Sequence, residues 1–350
     1  MMQTILIRCL LIAAGLVVGL FMAESAVRLF HLAPEAAPLA MGRFQLSANP
    51  KIAYERVPNL RYEGASLHFY DFRGSGNSLG YRSPDYGIRK PPGIHRIVVL
   101  GDSIAEGMHV DDDDAIFPRR VEKELRSAGY NVQVLNFAVS GYNTQQEVET
   151  LREKALRFEP DVVLLAYCIN DREDVSPEIL IPLLDHLKSR ESLCPPSRAL
   201  NSWLIASALY RFVTFRILQT RSQQDAWLRY DHYSTGDTVE RSLTELAQLA
   251  DEHRFRVMVA VFPIFDARDP RFLHYEFHSE HQRVSAISKQ LGFFVLDLLA
   301  VFRDCAAEPG RSEELYADPL HPSGVGHQCA ARAICRYIVD RRVLAPPSGN

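Results

Sequence analysis

Apolar and polar residues follow one another along the chain in blocks that predict alternating strands and helices. Five short runs have the continuous apolar character of buried parallel strands, at residues 97–100 and at about 131–138, 161–169, 256–262 and 293–298. Segments between and after them have the spacing of amphipathic helices, at about 118–127, from 144, at 238–252, at 278–291 and after Ser323. Strand–helix alternation favours parallel pairing through right-handed crossovers. The pattern therefore predicts an α/β fold built on a three-layer, doubly wound parallel sheet.

The N-terminal segment has a different pattern from the rest of the chain. Residues 5–23 are apolar except for Arg8, and the apolar character continues to Phe30. About twenty such residues match the thickness of a membrane, and residues 23–25 offer a poor cleavage site, so we expect residues 1–30 to be an uncleaved anchor. A cleaved signal peptide and a buried core helix are the alternatives. Arg8 favours a cytoplasmic N-terminus, which would place the remaining chain in the periplasm or at the cell exterior.

Composition changes along the chain indicate further divisions. Residues 31–43 are rich in Ala and Pro and predict a stalk, whereas residues 44–95 contain short runs broken by Gly and Pro and predict a small β-rich lead-in. The main domain would then span residues 96–342. An insertion at about 172–237 is much longer than a simple crossover requires, which indicates a specific role. Its amphipathic segment 198–218 predicts either a helix packed on the domain or a lid or membrane-resting helix beside the site.

Charge and cysteine content restrict the class of protein. The chain has 47% hydrophobic residues and a formal net charge of -4, so we expect a large globular domain and no nucleic-acid partner. Six scattered cysteines do not resemble a disulfide framework, and no Cys-x-x-Cys pair supports a metal site. A Cys194–Cys305 disulfide is one alternative. Cys329 and Cys335 lie six residues apart, on different faces of a helix, and should not pair with each other.

Four polar blocks follow strand ends or precede a helix, at residues 101–107, 136–143, 168–171 and 318–324. The first block reads Gly-Asp-Ser-Ile-Ala-Glu-Gly. Ligands of open α/β sheets bind beyond the carboxyl ends of the strands, so Ser103 should face a crevice there. Its N–H, at the start of a helix, is free to bind a developing oxyanion. Taken alone, the block is equally compatible with an ordinary N-capping serine.

Over residues 96–340 the order and spacing of these blocks resemble those of the SGNH (GDSL-type) hydrolase family. The resemblance implies the flavodoxin-like SGNH fold and acyl transfer without a cofactor or a metal. It also implies that Ser103 is the nucleophile, His321 the base and Asp318 the residue that orients the base. The oxyanion hole would consist of the N–H groups of Ser103 and Gly141 and the side chain of Asn170.

Some features depart from this pattern or compete with it. The third block has Cys168 where the family usually has Gly. Residues 76–80 fit a Gly-x-Ser-x-Gly motif around Ser78, but they lack the preceding strand and following helix that a nucleophile elbow requires. The acidic run 111–114 lacks the glycine and ligand spacing of a Ca²⁺ loop and is expected to lead into a helix N-terminus. Surface positions are expected for His253, His274, His278 and His281.

The residue types and the resemblance together predict a membrane-anchored, extracytoplasmic serine esterase. Its substrate would be an O-acyl group, chiefly O-acetyl, on a carbohydrate or a small ester. With a sugar hydroxyl in place of water, the same site would be an O-acyltransferase. A lipid-directed (lyso)phospholipase and a non-catalytic partner in an envelope glycan assembly are the alternative hypotheses.

Overall fold

The computed structural model describes residues 2–33, 43–62, 74–189, 207–213, 235–308 and 314–345, together with residues 204, 230, 233, 310 and 312. Nine strands lie in these ranges: β1 Phe44–Leu46, β2 Tyr54–Arg56, β3 Arg61–Tyr62, β4 Gly74–Ser75, β5 His95–Gly101, β6 Val132–Asn136, β7 Val162–Tyr167, β8 Arg256–Val261 and β9 Phe294–Asp297. The central sheet has the order β6-β5-β7-β8-β9, and all of its neighbouring strands are parallel. The predicted α/β class with a parallel sheet is confirmed.

The described helices are α1 Met2–Leu29, α2 Ser103–Glu106, α3 Phe117–Ser127, α4 Thr144–Thr150, α5 Pro177–Ser189, α6 Ala208–Arg211, α7 Val239–His253, α8 His278–Gln290, α9 Leu298–Ala307 and α10 Gly324–Asp340. α4 continues through a π-type turn, Leu151–Ala155, and a 3₁₀ turn, Leu156–Phe158. Ser323 caps α10 as predicted, because its hydroxyl accepts hydrogen bonds from two N–H groups of the first turn. The sequence pattern did not predict α9, which follows β9 directly.

Side chains alternate between the two faces of the sheet and produce two separate cores. Val98 and Leu100 of β5 belong to one core, and Ile97 and Val99 belong to the other. The first core includes side chains of α4, α7 and α8, and the second includes side chains of α3, α9 and α10. Burial of an aliphatic side chain contributes ~1.5–3 kcal/mol to the stability of the fold. Because helices cover both faces of the sheet, consecutive apolar residues along a strand are all buried and all contribute.

The lead-in contributes two small antiparallel hairpins, β1–β2 and β3–β4, to the described residues. Its side chains join the core of the main sheet: Tyr54 and Tyr81 are buried there beside Tyr142 and Phe137. The predicted stalk lies mostly outside the described residues.

Helix α1 is long and apolar enough to cross a membrane. Near its C-terminal end it contacts α6 of the insertion. The Glu24 carboxylate accepts hydrogen bonds from Ser207 Oγ at 2.7 Å and from Leu209 N at 2.8 Å. Of the amphipathic segment 198–218, only residues 204 and 207–213 are described, so most of the predicted helix lies outside the described residues.

Cys305 forms a disulfide with Cys329, so the alternative pairing with Cys194 is wrong. Cys194 itself lies outside the described residues. The bond joins α9 to α10. The sequence pattern did not predict α9, so it could not indicate that these two helices lie side by side. Cys335 is free and does not pair with Cys329, and the helical spacing predicted the absence of that pair.

One surface expectation is wrong, and the expectation for the acidic run holds only in part. His281 is buried rather than exposed. Burial of its polar ring is tolerated because both nitrogens have partners: Asp297 Oδ1 lies 2.8 Å from Nδ1 and Tyr275 Oη lies 2.9 Å from Nε2. The acidic run 111–114 precedes α3, as expected, but the first turn of this helix, which begins at Phe117, contains no acidic residue. Asp113 instead pairs with Arg82 and Asp114 with Lys123. The other three histidines, His253, His274 and His278, are exposed as expected.

Candidate active site

Ser103 lies at the carboxyl edge of the sheet, where β5 ends in a single helical turn. The Asp102 side chain caps this turn by accepting a hydrogen bond from Ile104 N at 2.9 Å. Gly101 is required for close packing, since a Cβ there would lie 2.7 Å from the Cβ of Ala105. Gly107 ends the turn in the left-handed conformation, with φ of 84°. The turn leaves Ser103 only 7% exposed.

The structure brings Ser103, His321 and Asp318 into one hydrogen-bonded chain. His321 Nε2 is 2.8 Å from Ser103 Oγ, and His321 Nδ1 is 2.7 Å from Asp318 Oδ2. The imidazole therefore faces the hydroxyl with one nitrogen and the carboxylate with the other. This is the arrangement in which an imidazole can take the serine proton while a carboxylate stabilises the resulting cation.

Asp318 is held ionised by the donors around it. Burial opposes ionisation, but hydrogen bonds from His109 and His321 together with the Leu320 N–H keep the pKa of Asp318 well below its ordinary value. The Asp318 Oδ1 atom accepts the backbone N–H groups of Leu320 at 2.8 Å and His321 at 2.9 Å. The carboxylate thus has a defined orientation toward the imidazole.

Gly141 lies in the loop that follows β6, next to the buried Ser140. Its φ is 76°, and a Cβ there would come within 2.7 Å of Tyr54 Oη and 2.9 Å of Ile179 Cδ1. Both the conformation and the crowding require glycine at this position. Neither the Gly141 N–H nor the Ser103 N–H has an acceptor among the described residues, so both can bind a substrate oxygen.

Asn170 stands in the 3₁₀ turn Ile169–Arg172, directly after β7. One N–H of its side-chain amide is directed to Asp102 Oδ2, at an N–O distance of 2.8 Å. An amide nitrogen carries two N–H groups, so the second stays available for a ligand. Burial raises the pKa of Asp102, and the hydrogen bond from Asn170 opposes that rise. Cys168, just before this turn, is buried with φ of -126°, a backbone conformation that does not require the family's glycine.

A buried ionic cluster, which the sequence pattern did not reveal, holds the Gly141 loop. Glu106 Oε2 accepts hydrogen bonds from Arg56 Nη2 at 2.5 Å, from Ser140 N at 2.8 Å and from Ser140 Oγ. Arg56 and Glu106 are both almost inaccessible to solvent. We refer to Arg56, Glu106 and Ser140 as the Glu106 cluster. It ties β2 of the lead-in to the turn that carries Ser103.

Two further carboxyl groups, Glu147 of α4 and Asp171, are buried beside the site. None of their side-chain oxygens has a hydrogen-bond partner among the described residues. Burial raises the pKa of each well above its ordinary value. The negative charge of Asp102 adds to the rise for both groups, and ionisation of Glu147 would raise the pKa of Asp171 further. Both groups are therefore neutral under conditions that ionise an exposed carboxyl.

His109 is a second histidine at Asp318, and it belongs to no sequence motif that would identify it. Its Nε2 is 2.8 Å from Asp318 Oδ2. The possible ligand atoms of His109, Asp318 and His321 lie within 4.8 Å of one another, which makes them a candidate metal group within the described part of the chain. Each of these three side chains already takes part in a hydrogen bond with another of them.

Ser78, the serine of the competing motif, lies in a tight turn outside the central sheet. Its Oγ donates a hydrogen bond to Asp85 Oδ1 at 2.6 Å. Residues 76–80 are followed by no helix before α2, so the structure places this motif outside a strand–turn–helix elbow.

A family model for the GDSL-like Lipase/Acylhydrolase family matches residues 99–329, which is more than half of the chain. No curated protein sequence matches this chain. Among solved structures the chain is similar to TesA, with 13% identity over 71% of this chain and 100% of that chain and a TM-score of 0.41. It is also similar to the lipase/acylhydrolase from Enterococcus faecalis, with 18% identity over 73% of this chain and 100% of that chain and a TM-score of 0.42. For the acetyl xylan esterase AlAXEase the identity is 12%, the coverage 69% and 99%, and the TM-score 0.43.

The neutral carboxyls predict that Glu147→Gln changes the pH dependence of stability. A carboxyl whose pKa is raised on folding keeps a proton that the unfolded chain loses, so stability falls as pH rises above the unfolded value, 4.5 for Glu147. The fall is about 1.4 kcal/mol per pH unit until the folded group ionises. Urea unfolding from pH 4 to 9 should show a smaller decline in the variant than in the wild type. The exposed Glu252, changed to Gln, is the control and should leave the slope unchanged; equal slopes for Glu147→Gln and the wild type would contradict the assignment.

Proposed function

Because the chain belongs to the GDSL-like lipase/acylhydrolase family of ester-hydrolysing enzymes, we propose that Ser103, His321 and Asp318 carry out its acyl transfer. The observation that carries this assignment is the 2.8 Å distance between His321 Nε2 and Ser103 Oγ. A serine hydroxyl is a weak nucleophile until a base accepts its proton, and a neutral imidazole at this distance can do so.

The chemistry proceeds in two half-reactions. Ser103 Oγ attacks the ester carbonyl carbon while its proton passes to His321 Nε2, and Asp318 stabilises the imidazolium that forms. The imidazolium then gives this proton to the leaving alkoxide, which leaves the acyl group bonded to Ser103. Water attacks the acyl group with the same assistance, releases the carboxylic acid and restores the serine.

The oxygen that becomes negative during each attack needs donors already in position. We assign the N–H groups of Ser103 and Gly141 and the second amide N–H of Asn170 to this role. The hydrogen bond between Asn170 and Asp102 supports the assignment, since it orients the amide before substrate arrives. The Glu106 cluster supports it as well, because it holds Ser140 next to Gly141.

Ser103→Ala should lower ester turnover by on the order of a thousandfold or more, because the nucleophile acts as a unit with its base. A fluorophosphonate probe should label the wild type and leave this variant unlabelled. Ser78→Ala is the matched control and should be labelled like the wild type. Labelling that persists in Ser103→Ala and maps to Ser78 would contradict the assignment.

We further propose that the substrate carries a short O-acyl group, chiefly O-acetyl, on an extracytoplasmic carbohydrate or a small ester. Two features of the site support a short chain: Ser103 and His321 are each 7% exposed, and Tyr54 and Ile179 fill the space beside Gly141. If a sugar hydroxyl takes the place of water in the second half-reaction, the acyl group is transferred rather than hydrolysed.

A series of p-nitrophenyl esters from acetate to decanoate tests this preference. The kcat/KM for acetate should exceed that for decanoate by about tenfold, the rate equivalent of 1.4 kcal/mol lost to steric conflict. The opposite order would favour a lipid-directed esterase. Absence of turnover together with absence of fluorophosphonate labelling would favour a non-catalytic partner.

The enzyme is proposed to be anchored through α1 with its catalytic domain outside the cytoplasm. Arg8, near the beginning of α1, supports a cytoplasmic N-terminus. The Cys305–Cys329 disulfide supports an oxidising compartment for the domain, since such bonds rarely persist in the cytosol.

Topology and redox state can be measured on the full chain in intact cells. A thiol reagent should not modify Cys305 or Cys329 until a reductant is added. Alkaline phosphatase fused after residue 345 should be active, because that enzyme requires export. Two free thiols at these positions and an inactive fusion would place the domain in the cytoplasm and contradict the proposal.

A further inference from the structure

His109 has a backbone conformation that is unfavourable for its residue type. Its φ is 62°, in the left-handed region that favours glycine. It follows α2 in the loop between Gly107 and Val110. A residue with a side chain persists in such a conformation only where its surroundings require it, and such residues concentrate at functional sites.

The loop around His109 is already held without the His109 side chain. Arg82 donates hydrogen bonds to the carbonyl oxygens of Gly107 at 2.8 Å and Val110 at 2.6 Å. The Val110 N–H also donates to the Gly107 carbonyl. The loop conformation therefore does not explain why position 109 carries an imidazole rather than no side chain at all.

The imidazole of His109 contacts both Asp318 and His321, the orienting carboxylate and the base of the proposed mechanism. Its Nε2 is 2.8 Å from Asp318 Oδ2, and its ring centroid is 5.3 Å from that of His321 with the two planes at 70°. Asp318 Oδ2 is also the atom that lies 2.7 Å from His321 Nδ1. The two histidines thus share one carboxylate oxygen.

The second contact matters because the Asp318 side chain is 34% exposed. Its Oδ1 accepts two backbone N–H groups and also lies 2.8 Å from His321 Nδ1, whereas Oδ2 is contacted, among the described residues, by the side chains of His109 and His321. Without His109, water would reach Oδ2 and compete with the His321 Nδ1–H for the same oxygen. The edge-to-face contact between the rings also restricts the plane of the His321 imidazole.

We propose that His109 is a positioning residue for the catalytic base: it donates an Nε2–H hydrogen bond to Asp318 Oδ2 and fixes the carboxylate against His321. This inference rests on the proposed serine-esterase mechanism and adds a fourth residue to it. His109 transfers no proton and contacts no reacting atom. Its effect is on the fraction of molecules in which His321 is correctly oriented.

Three variants separate positioning from a structural role. His109→Gly removes the hydrogen-bond donor and also the strain of a left-handed backbone. Loss of the donor should lower kcat for p-nitrophenyl acetate about tenfold, the equivalent of one charge-assisted hydrogen bond, with KM unchanged. Its Tm should stay the same or rise. His109→Gln places an amide N–H near the position of Nε2 and should restore kcat to within about threefold of the wild type. His109→Asn also tolerates a left-handed backbone but is too short to reach Asp318, so it should match the glycine variant.

Arg254→Gly is the matched control for backbone relief, since Arg254 has φ of 61° at the C-terminal cap of α7. It should not lower kcat. The rate of fluorophosphonate labelling at Ser103 gives a second readout that does not depend on substrate identity, and it should fall with kcat in the Gly and Asn variants.

Wild-type kcat in both His109→Gly and His109→Asn would overturn the role of His109, while an inactive Ser103→Ala in the same assay would show that the proposed function still stands. A lowered Tm in both, or no rescue by Gln, would show a structural role instead. Turnover that survives Ser103→Ala would show that the proposed function itself has failed.

Discussion

The buried carboxylate of Glu106 is the point on which the geometry of the site depends. It ends the helical turn that begins at Ser103, and it accepts hydrogen bonds from Arg56 of the lead-in and from Ser140 beside Gly141. A charge taken out of water is costly unless it is paired and fully hydrogen-bonded, and removal of one partner leaves the other charge uncompensated. The three segments are therefore stable only together, which couples the lead-in to the chemistry.

Carboxyl groups at this site serve opposite purposes because their surroundings differ. Asp318 stays ionised, since the donors from His109, His321 and the backbone outweigh the cost of its partial burial. Among the residues that the structure describes, Glu147 and Asp171 have no such side-chain donors, and burial keeps them neutral. Chemically similar carboxyl groups are thus either ionised or neutral, depending on whether hydrogen-bond donors surround them.

The parts that the sequence predicted well are those governed by local constraints. Apolar runs marked all five strands of the central sheet, because strands covered on both faces are apolar at most of their positions. Ser323 marked the start of α10, because a capping hydroxyl acts within three residues. The α9 helix was missed because it follows β9 with no separating turn, and this omission also hid the Cys305–Cys329 disulfide.

The sequence by itself determined the α/β class, the position of each polar block after a strand or before a helix and the residue types available for acyl transfer. The family resemblance of the blocks predicted that Ser103 acts with His321, but only the tertiary structure decided which further residues meet around them. His109 and Asp318 are 209 positions apart, and Arg56 and Glu106 are 50 apart. Contacts over such separations leave no periodic or short-range signal, because they arise from packing of whole elements rather than from the conformational preferences of neighbouring residues.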